Sequence, residues 1–581
     1  MPAPDRHTTS WDIQVDGSPL PDDVQALLEV VVVDDSLHAP DLFELHFRDP
    51  DRVALTKGGF QVGKPVKIAV VGGGPPATLI DAEVTALEIS FDESGTLTVV
   101  RGLDASHRLV RGRRTETYRD MTYSDIARKV ATRAGLAVGG IDPTQTVHKH
   151  VSQANVSDWK FLADLAHEVG YEVAVVDGKF EFRKPTLSRE APAVGDLSYG
   201  DPLQLSLGTN LVSLAVSLTS GGQVGAVRVN GWDYLHKKTV VGTAPAQTVH
   251  AETDVAPGAL AQRFGNPEHV VTDLPYDSLS QAEAAARSFA EQIASGFVEL
   301  TAVARGHPQY RAGTAVSIGL AGPPFDGRYT LTQTRHSYTP EEGYLTTLGV
   351  SGRQDRSLHG LATGGTQAGP AINGVVSGIV TDTRDPEKLG RVKVKLPRLS
   401  DSYETDWVRT VHPGAGPQRG MFLVPEVNDE VLVAFDHGDI RCPYVLGGLH
   451  NGKDRPAEYE LPLIDGSTGS VDLRAWQSRT GHFLVFGDKA GREGISLTSG
   501  DGKHQLSFSK AKDRIRIKAE RGLVQIEAGG DVQVTAGGNA VVQASRNLEL
   551  KGLKVKIDGS TGVEINGGPQ VKVTGAQIKL N

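Results

Sequence analysis

Two glycine-rich stretches have the residue types that could cradle a phosphate. Gly58 to Pro65 (GGFQVGKP) comes close to a phosphate-binding P-loop, but Pro65 stands where a Ser or Thr hydroxyl must ligate magnesium, which argues against nucleotide binding. The run KIAVV ending at Val71, followed by Gly72, Gly73, Gly74, Pro75, Pro76 and Ala77, mimics a dinucleotide fingerprint. Two prolines do not suit the helix that must receive a pyrophosphate, so a β-turn between strands is expected. His148 and His150 flank Lys149 and would set two rings on one side of a strand or loop. No third ligand or carboxylate is recognisable near them, and a surface pair is expected rather than a metal site. His167-Glu168 lacks the second His of a zinc-protease motif. There is no G-x-S-x-G, and Cys442, before Pro443 in a strand-like run, reads as a buried small residue rather than a nucleophile. The adjacent acids Asp22/Asp23, Asp34/Asp35 and Glu341/Glu342 belong to turn-like sequence and carry no pairing on a substrate. The expectation is no catalytic residue, no metal and no cofactor.

The elements that would have to position such residues are mostly strands. Gly is 67 of 581 residues and Met only 3, and Val-rich alternating segments recur from Val30 onward. Three helices are expected: Ser124 to Arg133, Asp158 to Glu168 and Gln281 to Ser295, the first two opened by a Ser or Asp that could cap and closed near a Gly. The length allows roughly three to five domains. Small and turn-forming residues from Gly360 to Pro370 mark one boundary, and Asn451 to Gly466 a weaker one. The net charge of −10, with 60 basic and 70 acidic residues intermixed, provides no basic stripe for nucleic acid. One cysteine precludes an internal disulfide framework. Met1 to Trp11 is polar and no apolar run approaches bilayer-spanning length, so synthesis in the cytoplasm without a signal peptide is expected.

The most informative segment is Val524 to Asn581. Apolar pairs separated by one residue recur as Val524/Ile526, Val532/Val534, Ala540/Val542, Leu548/Leu550, Val555/Ile557, Val563/Ile565, Val571/Val573 and Ile578/Leu580, at a spacing of eight with two slips to seven. Polar residues lie between and after the pairs, and Gly fills many turns (Gly529, Gly530, Gly537, Gly538, Gly567, Gly568). Each octad reads as a short strand plus a tight turn. A narrow apolar face cannot be buried by one octad alone, so octads must stack. A single-chain, three-sided β-helix would take about three octads per coil and give fewer than three coils here, marginal for a repeat stack. Three chains wound together make a longer prism with fewer open edges. A homotrimer is therefore expected, with Val524, Ile526, Val532, Val534, Val542, Leu548, Leu550, Val555, Ile557, Val563, Ile565, Val571 and Val573 as the needle core.

Upstream, Gly378 to Gly452 carries turn residues every eight to twelve positions, the rhythm of a small five-stranded barrel of oligonucleotide/oligosaccharide-binding (OB) topology. Asp385-Pro386, then Gly390-Arg391-Val392-Lys393-Val394, Asp406-Trp407, Pro425 to Val431 (PEVNDEV) and Phe435 to Asp439 (FDHGD) resemble the OB domain of VgrG proteins and phage baseplate spikes. The N-terminal part resembles the same family's hub, related to phage late-control protein D, through Gly102-Leu103-Asp104, Arg108-Leu109, Gly112 to Tyr118, Trp159 to Tyr171, Val227 to Asp233 and Gly327 to His336.

This resemblance implies a mainly β chain with minor α content: a hub of two barrel subdomains plus helices over 1–360, a linker over 361–372, an OB barrel over 373–455, a neck and needle start over 456–505 and a triple-stranded β-helix needle over 506–581. It implies a trimeric hub on the end of an inner tube, contacts with baseplate proteins and a separate PAAR-type tip protein. Ile578, Leu580 and Asn581 are expected to receive that tip. Effector cargo is a possible further passenger, and the target membrane is met by puncture only. Against that family, no lysozyme domain is expected between barrel and repeat, no effector is expected after Asn581, and no iron-binding tip is expected, since no His lies between His504 and Asn581. The favoured reading is a non-catalytic spike of a contractile injection system, assembled in a phage-tail-like particle and exposed or delivered outside the cell on contraction. The alternatives are a wall or polysaccharide hydrolase on a β-helix scaffold, which needs convergent carboxylates, and a sugar-binding fibre, disfavoured because Val524 to Asn581 has no Phe, Tyr or Trp to stack on a ring.

Overall fold

A computed structural model of the chain describes residues 10–72, 75–93, 95–195, 201–353, 372 and 374–579. The chain is mainly β and divides into two compact units, the boundary falling between Arg455 and Pro456. The expected Gly360 to Pro370 boundary lies outside the described residues.

The first unit is built on an eleven-stranded antiparallel sheet running from Leu211–Leu218 at one edge to Ser18–Pro19 at the other. In its middle, Leu28–Ser36 pairs with Gln333–Thr339, so segments some three hundred residues apart are neighbours and Arg335 faces Asp34. Alternation along these strands turns Phe43, Leu45 and Phe47, with Ile13, Ile68 and Val100, into one dry core. The run Pro65–Val71 pairs with Ala77–Asp92 as an antiparallel hairpin, which makes the stretch after Val71 a strand connection, Gly73 and Gly74 lying outside the described residues.

A second core lies between the helices Tyr123–Arg133 and Asp158–Val169 and the ribbon formed by Arg114–Met121 and His148–Val156. Thr122 caps the first helix by a reciprocal bond with Asp125, two residues before the expected Ser124 start. Ser157 caps the second, and Gly170, at φ +73°, ends it. The third helix, Leu279–Ser295, presents Ala282, Ala285, Ala286 and Ala290 to strands Ala226–Asp233 and Lys238–Pro245. The approach is so close that a Cβ on Gly242 would fall 2.2 Å from the Ala282 backbone.

Residues 375–448 form a five-stranded barrel in the order Lys393–Lys395, Val375–Asp382, Glu430–Phe435, Pro443–Gly448 and Arg409–Thr410. Reciprocal backbone bonds between Val392 and Val408 close it, around Val380, Val394, Leu396, Tyr403, Val431, Val433 and Val445. The second unit begins with a five-stranded antiparallel meander over Leu473–Gln477, Phe483–Gly487, Gly494–Thr498, His504–Ser509 and Arg514–Ala519. Among the described residues, no strand pairing is made beyond Ala519.

Candidate functional site

The residues that could have done chemistry are held by structural contacts. Gly58 ends the helix Ala54–Gly58 and Pro65 opens a strand, so no phosphate-cradling loop runs into a helix N-terminus there. His148 and His150 are not the surface pair expected: both are half-buried. The His148 ring stacks on Tyr123 with centroids 4.0 Å apart, and His150 donates from Nε2 to the Glu404 carbonyl oxygen at 3.1 Å. Their covers come from distant segments, which local spacing does not reveal. His167 lies 3.2 Å from the Gln292 side-chain oxygen, and burial pushes its pKa down to about 4. Burial pushes the Cys442 thiol up to about 12, far from the thiolate a nucleophile needs. Asp35 accepts from Arg311 at 2.5 Å and Asp34 pairs with Arg335 at 3.3 Å. Among the described residues, no group of three His, Cys, Asp or Glu could hold a metal ion, and no helix is long and apolar enough to cross a membrane.

What stands out instead is apolar surface. Val524, Ile526, Val532, Val534, Val542, Leu548, Leu550, Val555, Ile557, Val563, Ile565, Val571, Val573 and Ile578 are all at least half exposed, from 50% at Ile578 to 84% at Val534. None of the described residues covers them, although a folded monomer rarely leaves so large an apolar surface bare. Leu580 and Asn581 lie outside the described residues.

The meander extends this surface, and sequence reading missed it. Trp476, Leu484, Leu497, Leu506 and Ile517 oppose one another across the five strands, and Phe486, Ile495, Phe508 and Ile515 form the row beside them. Directly opposed residues share a face, so these nine make one continuous apolar side. Ile515 and Ile517 are the barest of them. Arg514, Arg516 and Lys518 alternate with these residues and take the other face. The signal was present as period-two alternation in FLVFG, GISLT, HQLSFS and RIRIKA, but the hairpins between those strands vary in length and hide any fixed repeat.

Comparison with known proteins bears on the barrel and on the region before it. Residues 376–450 match the family model for the type VI secretion system/phage-baseplate injector OB domain, and residues 6–340 match the model for the Alg8 N-terminal domain. The chain is 34% identical over 139 residues to the type VI secretion system spike protein VgrG3 of Vibrio cholerae, covering 22% of this chain and 13% of that protein. It is 37% identical over 92 residues to the spike protein VgrG5 of Pseudomonas aeruginosa, covering 15% and 12%. The matched stretches thus span about an eighth of these relatives. A chain of the Francisella PdpA–VgrG complex in its half-lidded state has the same fold, with a TM-score of 0.50 and 10% identity over 89% of this chain and 88% of that one.

Proposed function

The chain belongs to the Alg8 N-terminal-domain family and to the VgrG and phage-baseplate spike family, and from that premise we propose that it is the structural spike of a contractile injection machine, trimeric and without catalysis of its own. The observation that carries this reading is the uncovered apolar surface of the second unit, two cross-strand rows on the meander followed by the octad residues from Val524 to Ile578. Three copies related by a three-fold axis would turn these faces inward as the sides of a closed prism and pair the octad strands between chains. Each Val, Ile or Leu so buried contributes roughly 1.5–3 kcal/mol before the entropy of ordering is counted. The needle core named from the sequence is the inner face of that prism, and the meander face from Leu473 to Ala519 is its opening section.

In this reading residues 1–360 form the hub that sits on the inner tube among baseplate proteins, 361–372 a linker, 373–455 the collar barrel, 456–505 the neck and needle start and 506–581 the needle. Ile578, Leu580 and Asn581 offer strand ends to a PAAR-type tip protein. Sheath contraction elsewhere supplies the work, and the needle concentrates it on a target membrane. The chain is made in the cytoplasm, built into a tail-like particle and exposed or delivered outside the cell on contraction. Electron cryomicroscopy of the purified chain tests the proposal. A needle with three-fold symmetry supports it, whereas a single-chain particle or an assembly without that symmetry contradicts it.

A further inference from the structure

The ribbon strand His148–Val156 has two faces with two different owners. Val151 and Gln153 point into the hub: Val151 packs in the helical core with Phe161 and Leu162, and the Gln153 amide bridges the Tyr118 hydroxyl at 3.2 Å and the Asp158 carboxylate at 2.7 Å. The alternate residues His150, Ser152 and Ala154 point the other way, into the barrel. Ala154 is 4% exposed and belongs to the barrel's own core beside Val380, Val394 and Tyr403. Ser152 Oγ lies 2.9 Å from the Tyr403 hydroxyl, both residues being buried. His150 donates to the Glu404 carbonyl oxygen, and Arg119, across the ribbon from His150, donates to the Glu404 carboxylate at 2.6 Å.

Two further hub segments grip the barrel. Arg441 joins the barrel's Asp439 carboxylate to Glu168 of the hub at 2.7 Å, and Glu168 also accepts from the Tyr123 hydroxyl at 2.5 Å. Arg391, buried against Asp385, reaches the hub's Tyr234 hydroxyl at 3.2 Å, while the Arg409 guanidinium lies over the Tyr234 ring, 5.1 Å from its centroid. Asp385, Arg391 and Asp439 are among the residues that make the barrel recognisable in the sequence.

We infer that the barrel is not an independent domain: the outer face of the strand His148–Val156 is its docking surface and completes its core, so that hub and barrel open and close as one cooperative unit. The inference stands on contacts within one chain and is independent of the trimer reading. Hydrogen exchange of the full chain tests it. Ala154→Asp places a charge in the barrel core from the hub side, and should speed exchange in Val375–Asp382 and Glu430–Phe435 by roughly tenfold or more. The same variant should speed exchange in the helix Tyr123–Arg133 in step. Should that variant fail to fold, Tyr403→Phe keeps the ring and removes only the hydroxyl, with an expected rise on the order of fivefold in both regions. Faster exchange in the barrel with the hub helix unmoved, or no change in either, overturns the inference. The assembly state measured on the same sample separates this result from any failure of the spike reading.

Discussion

His336 sits inside the eleven-stranded sheet with Nδ1 2.7 Å from the Tyr344 hydroxyl and Nε2 2.8 Å from the Tyr310 carbonyl oxygen, and burial pushes its pKa down to about 3. Burial holds His250 at about 3 and His167 at about 4 in the same way. Each is neutral in the fold yet protonates near its ordinary value when unfolded, so its stabilising share is present above about pH 6.5 and is lost as pH falls toward 4 and 3. Asp104 works in the opposite sense. Burial raises it to about 7 against the hydrogen bonds from Ser106, so its share is fully present below its ordinary value and is lost as pH rises through 7. Asp104→Asn should therefore match the wild type near pH 4 and gain stability over it as pH rises through 7, read from denaturant midpoints across that range. A difference that does not grow with pH would refute the assignment. Cys442 yields a second test: with its thiol pushed up to about 12 by burial, maleimide at pH 8 should label the native chain far more slowly than the unfolded one. Equal rates would show an accessible thiol.

At the scale of elements, local pattern determined how much could be read beforehand. The octads stand out in the sequence because one repeats the next at nearly fixed spacing, yet among the described residues they form no strand within one chain. The three long helices were legible within about two residues, Thr122 and Ser157 capping the first two and the third beginning at Leu279 without a side-chain cap. The eleven-stranded sheet was not legible from periodicity, because Leu28–Ser36 finds its partner some three hundred residues away in Gln333–Thr339. The two histidines were misplaced for the same reason, since Tyr123 and Glu404 cover them from other segments. Two measurements belong here. Thr122→Ala removes the side-chain half of the reciprocal cap, leaving the Thr122 backbone N–H donating to Asp125, and should cost about 1 kcal/mol in thermal or denaturant unfolding; no loss would mean the side-chain cap is idle. Arg391→Ala strips a buried carboxylate of its partner, and roughly 3–5 kcal/mol of destabilisation is expected. A loss no larger than that of a surface pair would show that water reaches Asp385.

At the scale of the molecule, apolar surface is unevenly placed. The first unit packs its large side chains into closed cores, whereas the second leaves its apolar rows and octad pairs bare within one chain. That imbalance is what the proposed trimer would resolve, and the meander would make the covered surface longer than the octads alone. Ile495→Asp, in the middle of the meander rows, should weaken assembly while leaving the first unit folded, as read by sedimentation velocity beside circular dichroism. Unchanged assembly would exclude the meander from the interface. The most direct measurement is the absolute mass of the full chain by light scattering, set beside a truncation ending at Leu461. The account predicts three times 61.8 kDa for the full chain, and loss of that defined mass in the truncation. A monodisperse monomer of 61.8 kDa would contradict it.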